Sequence, residues 1–412
     1  MPLIKPFPGL RPAPTRAAEV AAPPYDVVTA AEARAMVQGK PWSFLHVSRP
    51  EIDLPKETDP YAPEVYTKGA QNLAAMLAAK VLVQDDKPCF YLYRLSTDSH
   101  VQTGLVATTS LQAYEQGRIK KHELTRPLKE DDRVRQIEAL GAQTGPVFLV
   151  HPHDPAVDAL LAGVAETGAE IDLRAADGVR HELWVLRDET QISRLTGVFD
   201  AMPALYVADG HHRLAAASRV AAARRESNPG LPAEAPSNYL LSVLFPHKAV
   251  QILDYNRLIR DLNGLDREVY LQKISAHFSV ETRDVPVKPS SRGEFGMYLP
   301  GQWYHLRLDP RRVPRDDPIS SLEVSLLSND LIAPILGISD QRRDDRIDFV
   351  GGSRGLDGLQ QRVDSGEMAV AFSLFPTSVE ELMAVADAGE VMPPKSTWFE
   401  PKLADGLVSH LI

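Results

Sequence analysis

Short apolar runs of strand length alternate with longer helical segments along the chain. Runs at residues 90–93, 147–150, 205–207, 240–245 and 370–374 are rich in β-branched, aromatic and leucine side chains, and they predict buried strands. Segments with helical periodicity or composition lie between them. This alternation predicts a mixed fold of the α/β or α+β class.

Two helices are the clearest single elements. Residues 127–140 place apolar side chains on one face and are followed by Gly141, a typical C-terminal stop. Residues 214–226 are rich in alanine and end in Arg224 and Arg225, whose charges suit the negative end of a helix dipole. We therefore expect one helix over each segment.

The chain has 412 residues and a formal net charge of −10. A chain longer than roughly 250–300 residues usually forms more than one domain. The negative charge disfavours nucleic acid as a partner, because nucleic-acid affinity comes mainly from clustered Lys and Arg. The apolar runs are far shorter than the roughly 20 residues that span a bilayer, and none resembles a signal-peptide core. We expect a cytoplasmic protein with no membrane span, and the composition leaves its oligomeric state open.

The candidate chemistry is concentrated in the segment Asp209-Gly210-His211-His212-Arg213, which joins the strand at 205–208 to the helix that follows. A helix N-terminus exposes unpaired N–H groups and partial positive charge, which suit a phosphate or carboxylate. Gly210 lets such a ligand approach the backbone closely. His211 and His212 can donate hydrogen bonds or transfer protons, and Arg213 can bind two oxygens at once.

This segment has two other interpretations. Asp209 is expected to cap the helix, which leaves the two histidines and the arginine unexplained. A metal bound by His211 and His212 is the rival, but adjacent side chains point in different directions and no third ligand is near in sequence. We therefore predict a functional site, with Asp209, His211 and His212 catalytic and Gly210, His211, His212 and Arg213 binding phosphate or nucleotide.

A second polar segment, residues 121–133, begins ahead of the first helix. His122 and Glu123 place an imidazole beside a carboxylate, which makes Glu123 a candidate general base. His122 and Arg126 are further candidates for binding phosphate. The segment is not a zinc-protease HExxH motif, because Arg126 stands where the second histidine would be. We expect this segment to meet the segment 209–213, since each carries only half of a site.

Weaker candidates lie elsewhere. The proline-rich string at 392–402 is too stiff for a helix, and its Lys395 and Lys402 are candidate phosphate ligands, unless the string only straps the surface. Asp26 follows a rigid Pro-Pro-Tyr and, with Asp209, is a candidate metal ligand. The sequence has no Walker loop, GxSxG or GxGxxG motif, which argues against the common NTPase, hydrolase and dinucleotide classes.

Several of these strings, in this order, resemble the Domain of Unknown Function 1015 family. The strings are Pro6-Phe7 with Arg11, residues 23–27, His122-Glu123 with Thr125, residues 209–213 and residues 392–402. The resemblance covers nearly the whole chain. Through residues 209–213 the family is similar to the ParB-like superfamily, which includes nucleotide-binding partition proteins, sulfiredoxin and free-serine kinases.

The resemblance implies a ParB/SerK-like α/β core over residues 1–247, with an additional C-terminal α/β region over residues 248–412 that closes the site. In the kinases the corresponding turn holds phosphate groups and a carboxylate acts on the serine hydroxyl. The resemblance assigns these roles to residues 209–213 and to an acid such as Glu123. The cysteine of sulfiredoxin has no counterpart in the segment.

We therefore expect phosphoryl transfer on a small metabolite, kinase-like or phosphatase-like, with a nucleotide or other phosphate donor and Mg²⁺. The alternative is a non-enzymatic regulator of ParB type that senses a nucleotide or associates with DNA. Clustered Lys and Arg would favour that alternative, and the sequence shows no such stripe.

Overall fold

The protein is described by a computed structural model that covers residues 2–314 and 316–412. The strands in chain order are β1 (Ile4–Lys5), β2 (Leu10–Pro12), β3 (Leu82–Gln84), β4 (Phe90–Ser96), β5 (Val101–Ser110), β6 (Ile119–Lys120), β7 (Ala142–Gln143), β8 (Val147–His151), β9 (Ile171–Arg174), β10 (Arg180–Leu186), β11 (Leu205–Asp209), β12 (Tyr239–Pro246), β13 (Gln251–Leu253), β14 (Tyr255–Ile259), β15 (Phe278–Arg283), β16 (Glu294–Leu299), β17 (Gln302–Leu308), β18 (Ile347–Gly351), β19 (Val370–Leu374), β20 (Trp398–Glu400) and β21 (His410–Leu411).

The α-helices in chain order are α1 (Ala17–Val20), α2 (Ala30–Met36), α3 (Leu45–Ser48), α4 (Pro63–Ala78), α5 (Leu111–Glu115), α6 (Pro127–Leu140), α7 (Pro155–Ala165), α8 (Glu189–Ala201), α9 (His211–Ser227), α10 (Arg267–Ile274), α11 (Glu323–Leu327), α12 (Ala333–Leu336), α13 (Gly355–Asp364) and α14 (Val379–Asp387). Helices and strands alternate through the chain, which confirms the predicted mixed α/β class.

The chain divides into two compact units. The first comprises Met1–Val250 together with Pro401–Ile412, and the second comprises Gln251–Glu400. The last residues of the chain therefore belong with the first unit. The role predicted for residues 248–412, closing the site, stays a prediction.

The first unit is built on a large mixed sheet with the strand order β6-β11-β8-β12-β5-β4-β10-β9, and β1 pairs with β5. β11 runs parallel to β6, with Leu205 opposite Ile119 and Tyr206 opposite Lys120. Two parallel strands end at the same edge of a sheet. The residues that follow β6 and those that follow β11 therefore leave the sheet at one place, which is where the two predicted half-sites lie.

Burial explains why the strands of this sheet read as continuous apolar runs. β11 lies between β6 and β8, and Leu205, Tyr206, Val207 and Ala208 are all buried. Both faces of such an interior strand are covered by packed elements, so alternation with polar residues is lost. The apolar side of α9 packs into the same core, through residues such as Leu214.

Helix α6 has the predicted bounds and ends at Gly141, whose φ of 60° lies in the left-handed region. Its buried positions, however, include the polar residues Asp132 and Gln136. Tyr66 donates a hydrogen bond to Asp132 at 2.9 Å, and the Gln136 side chain donates one to the carbonyl of Val47 at 2.8 Å. The polar groups are satisfied, so they orient the helix rather than weaken its packing.

The second unit contains an antiparallel sheet with the order β15-β17-β16-β19-β14-β18, and β13 pairs with β20 separately. Its core includes Leu258, Tyr298, Leu359 and Ala371. Among the helices of both units, as far as the chain is described, none is long and apolar enough to cross a bilayer.

Candidate functional site

The junction of β11 and α9 is tighter than the sequence analysis predicted. β11 continues through Asp209, Gly210 alone forms the turn, and α9 begins at His211 rather than at residue 214. Gly210 has a φ of 98°, a conformation that residues with a Cβ rarely adopt. His211, His212 and Arg213 therefore occupy the first turn of α9, where their backbone N–H groups have no partner within the helix.

Asp209 does not cap α9 as predicted. The N-cap is Gly210, and none of the described side chains makes a cap hydrogen bond to this helix. The Asp209 carboxylate instead accepts a hydrogen bond from the Gly210 N–H at 2.9 Å. Gly210 occupies the N-cap, so Asp209 lies one position before the residue whose side chain could cap the helix, which is the reason for the difference.

Two cations lie close to Asp209. Nη2 of Arg213 is 3.7 Å from its carboxylate, and Nζ of Lys402 is 3.6 Å from it. Burial alone would raise the pKa of Asp209, but Lys402, Arg213 and His211 together lower it to about 2. Asp209 is therefore ionised at neutral pH, and 37% of its side chain remains exposed.

The two predicted half-sites meet in the structure. The rings of His122 and His211 pack edge to face with their centroids 4.5 Å apart. Oε2 of Glu123 lies 3.7 Å from Nδ1 of His211. The histidine side chains are buried, whereas 49% of the Glu123 side chain is exposed. An imidazole pair and an accessible carboxylate thus share one edge of the sheet.

Both histidines of this pair are neutral at physiological pH. Burial lowers the pKa of His122 to about 4, although a hydrogen bond to the backbone of Val207 and the charge of Asp209 act in the opposite direction. Burial and the neighbouring His122 hold the pKa of His211 well below its usual value. Neutral imidazoles can accept a proton or bind a metal ion, which imidazolium cannot do.

His212 faces the other segment and holds it in place. Its Nε2 accepts a hydrogen bond from the backbone N–H of Arg126 at 3.0 Å. Thr125 donates a hydrogen bond to Glu130, and Arg219 of α9 pairs with Glu130 at 3.3 Å and with Asp131 at 2.7 Å. These contacts join the start of α6 to α9. The predicted catalytic role of His212 and the predicted phosphate contacts of the Arg126 side chain stay predictions.

Arg213 points into the first unit. Its guanidinium donates a hydrogen bond to the carbonyl of Pro146, and only 11% of its side chain is exposed. Burial alone would lower the pKa of Arg213, but Asp26 and Asp209 raise it. The side chain also lies against Gly145, where a Cβ would come within 3.3 Å of Cδ of Arg213. Its geometry is that of a buried cation that organises nearby carboxylates.

Asp405 is a buried carboxyl group that the sequence analysis missed. Its side chain is 2% exposed, and its backbone pairs with Ala22 through reciprocal N–H to carbonyl hydrogen bonds of 3.1 and 2.9 Å. Burial raises the pKa of Asp405 to about 7, and Arg213 and Arg133 partly oppose that effect. The sequence signal that could have identified Asp405 is weak: an acid directly before a glycine in an apolar C-terminal run.

A small cavity lies beside these groups. Its lining includes Tyr25, Arg133, Thr144, Arg213 and Asp405, and its volume is about 30 Å³. A water needs roughly 10–15 Å³ of such space, so the cavity has room for two or three waters and not for a nucleotide. A larger ligand of this unit would have to bind outside this cavity, at the surface where the Glu123 side chain is exposed.

The pKa of Asp405 leads to a prediction about stability. An acid with a folded-state pKa of about 7 and an unfolded pKa of about 3.9 binds a proton in the folded state that the unfolded chain has released over that pH window. The free energy of unfolding of the wild type, relative to Asp405→Asn, should therefore fall as the pH rises from 4 to 7. Each unit of the pKa difference corresponds to about 1.4 kcal/mol. Denaturant titrations of both proteins at several pH values measure this, and parallel pH profiles would refute it.

The remaining predicted ligands lie in different places. Lys402 lies against Asp209, as described above. Lys395 belongs to the second unit, where its Nζ lies 5.7 Å from the centre of the Tyr255 ring. Asp26 is exposed and acts electrostatically on Arg213. Their predicted roles as phosphate or metal ligands stay predictions.

A family model described as "Protein of unknown function (DUF1015)" matches residues 4–325, which is more than half of the chain. The chain belongs to the DUF1015 family. The matched span of this DUF1015 protein includes both site segments, 122–126 and 209–213, and ends before Lys402 and Asp405. Among curated protein sequences, none matches it significantly.

Solved structures similar to the DUF1015 protein have low sequence identity to it. A conserved hypothetical protein from Pyrococcus furiosus is 14% identical, with a TM-score of 0.35, over 77% of this chain and 98% of that one. A free serine kinase in complex with AMP is 13% identical, with a TM-score of 0.35, over 73% and 92%. SbnI with a C-terminal truncation, from Staphylococcus aureus, is 13% identical, with a TM-score of 0.37, over 74% and 87%.

Proposed function

We propose that this DUF1015 protein transfers a phosphoryl group from a nucleotide or another phosphate donor to the hydroxyl of a small metabolite. The observation that carries the proposal is the position of Glu123. Its exposed carboxylate lies 3.7 Å from His211, in the first turn of α9. A proton acceptor and the anion-binding end of a helix are thus adjacent, and phosphoryl transfer needs both.

Each part of the site has a role in this proposal. The backbone N–H groups of the first turn of α9 and the ammonium of Lys402 bind phosphate oxygens. Neutral His211 orients the Glu123 carboxylate. The hydroxyl oxygen of the metabolite attacks phosphorus and forms the new P–O bond, while the bond to the leaving group breaks and its electron pair departs with that group. Glu123 takes the hydroxyl proton.

Asp209 is the residue that would bind Mg²⁺ in this proposal. Mg²⁺ is usually held by one or two carboxylates together with phosphate oxygens. Asp209 is ionised and partly exposed, so it offers such a ligand, and Lys402 would then move from Asp209 towards the phosphate. When bound, Mg²⁺ would neutralise part of the phosphate charge.

A ligand screen tests the proposal directly. Nucleotides, pyrophosphate and inorganic phosphate, with and without Mg²⁺, are screened for thermal stabilisation, since a ligand at 100 times its Kd stabilises a fold by about 2.7 kcal/mol. Hits are then incubated with pooled metabolites, and donor consumption is followed by phosphorus NMR. Binding with no turnover would replace the enzyme by a nucleotide-sensing regulator. If the screen shows no binding and no turnover, both the enzyme and the nucleotide-sensing regulator are excluded.

Lys402 provides a specific prediction for the binding step. Hydrogen bonds to charged groups contribute about 1.5–3 kcal/mol, so Lys402→Ala should weaken binding of the phosphate-containing ligand by roughly 10- to 100-fold. Calorimetry with the best ligand of the screen measures the change. Lys248→Ala removes an exposed ammonium from the same unit and should leave the affinity unchanged. Equal affinities of both variants would exclude Lys402 from the anion site.

A further inference from the structure

His122, Glu123 and His211 form a cluster whose donor atoms converge. One ring nitrogen of each histidine and one carboxylate oxygen all lie within 4.8 Å of one another. Ligand atoms around a bound transition metal lie about 3 to 3.5 Å apart, because each is about 2.0–2.2 Å from the ion. Side-chain rotations that shift each donor atom by about an ångström would therefore bring the three donors to bonding distance of an ion.

One ring nitrogen of each histidine in the cluster lacks a hydrogen-bond partner among the described residues. Nδ1 of His122 and Nε2 of His211 are buried and have no hydrogen-bond partner among the described residues. A buried polar atom without a partner is costly, and such atoms need an explanation, for example an ion at the site. Apolar side chains of similar size would pack at these two positions without that cost.

The second nitrogen of His122 is arranged as in a metal ligand. The ring makes a hydrogen bond to the backbone of Val207, and because Nδ1 has no partner, the bond involves Nε2. Histidines that bind metals usually donate their other N–H to a backbone carbonyl or a carboxylate, which fixes the ring orientation. β11 thus supplies the support for His122 and leaves Nδ1 without a partner.

We propose that His122, Glu123 and His211 bind a divalent transition-metal ion, of the Zn²⁺ or Fe²⁺ class. Two imidazoles and one carboxylate suit such ions, whereas Mg²⁺ prefers oxygen ligands alone. Three protein ligands leave at least one coordination position open, which is the arrangement of catalytic rather than structural sites. Since half of the Glu123 side chain is exposed, that position can be reached from solvent.

This ion would be separate from the Mg²⁺ that a nucleotide brings to Asp209. On the proposed function, and only if that proposal holds, one oxygen of Glu123 would bind the ion while its other oxygen takes the hydroxyl proton, and the ion would supply Lewis-acid polarisation of a phosphoryl oxygen. The metal site itself does not depend on that reaction. Its test therefore uses the protein without any substrate.

The test is metal binding by the full-length protein, free of affinity tags and treated with chelator. Zn²⁺ is titrated by calorimetry, and Co²⁺ is titrated while its visible d–d absorption is recorded. We expect one equivalent of each ion and a Co²⁺ spectrum of mixed nitrogen and oxygen ligation. Loss of one supporting contact already costs 10- to 100-fold in metal affinity, so Glu123→Gln, which removes a ligand at an exposed position, should lower it by at least about 100-fold.

Two further variants keep the result unambiguous. His122→Gln tests the buried ligand, and circular dichroism establishes that it is folded; if it is not, Glu123→Gln alone decides. His153→Gln removes a histidine of another His–carboxylate pair, in which Nδ1 lies 3.2 Å from Asp158, and should bind metal as the wild type does. If the wild-type protein binds no metal, the site is refuted. It is also refuted if Glu123→Gln and His153→Gln bind the metal with equal affinity. Metal binding without nucleotide turnover would support the metal site and reject the proposed function. Turnover without metal binding would support the proposed function and reject the metal site.

Discussion

Glu123→Gln should lower the rate of phosphoryl transfer by roughly 10²- to 10⁴-fold, the usual contribution of a general base. Glutamine keeps the size of the side chain and its ability to hydrogen-bond, but it cannot take the hydroxyl proton. The side chain is 49% exposed, so the substitution should not unfold the protein. Steady-state kinetics with the donor and metabolite found by the screen measure the loss.

The matched control for Glu123 is Glu138→Gln. Glu138 is exposed on α6 in the same unit, and it lies outside the cluster. Its substitution makes the same change of charge and should leave the rate within a factor of about two. A Glu123→Gln enzyme with wild-type kcat would show that the carboxylate has no part in the chemistry. If both variants lost activity equally, net charge rather than position would be responsible.

Arg213→Ala should lower the free energy of unfolding by about 3–5 kcal/mol. Removing one partner of a buried ionic group leaves the charges of the remaining partners uncompensated. The guanidinium lies next to Asp209 and lowers the pKa of the buried Asp405 carboxyl. It also donates to the carbonyl of Pro146, which would lose that partner. Chemical denaturation monitored by circular dichroism measures the difference.

Arg219→Ala is the comparison for Arg213, since both arginines are on α9. Arg219 is 47% exposed and pairs with Glu130 and Asp131 at the surface, where an ion pair contributes about 0.2–1 kcal/mol. A small effect at Arg219 with a large effect at Arg213 would establish the buried position as the cause. An Arg213→Ala protein as stable as Arg219→Ala would contradict the structural role, and the predicted phosphate contact would then be the main reason for an arginine there.

The local sequence predicts the bounds of some elements correctly and those of others incorrectly. α6 has the predicted bounds because an N1 proline and a C-terminal glycine mark both ends. The sequence predicts the start of α9 three residues late, because Asp-Gly is typical of a longer turn. The left-handed φ of Gly210 reverses the chain within one residue, so the histidines and Arg213 become helical. The order of residue types in the segment 209–213 does not distinguish a longer turn from a one-residue turn followed by a helix.

The composition of the site was only partly predictable. His122, Glu123 and the segment 209–213 stood out because clustered histidines and charges have no packing reason. Asp405 did not stand out, because a single acid beside a glycine looks like any loop. Its burial against Arg213 follows from the return of residues 401–412 to the first unit.

The sequence by itself determined the mixed α/β class, the strand that leads through Gly210 into α9, and the residue types that offer chemistry. These are properties of local pattern and composition, which depend on neighbours a few residues apart. Only the tertiary structure decided that Arg126 and His212, 86 positions apart, form a hydrogen bond. The parallel register of β6 and β11 brings their following residues to one sheet edge, and pairing between distant strands is set by the packing of the whole unit. The same packing decides which groups are buried, and therefore why His122 is neutral while Asp209 is charged.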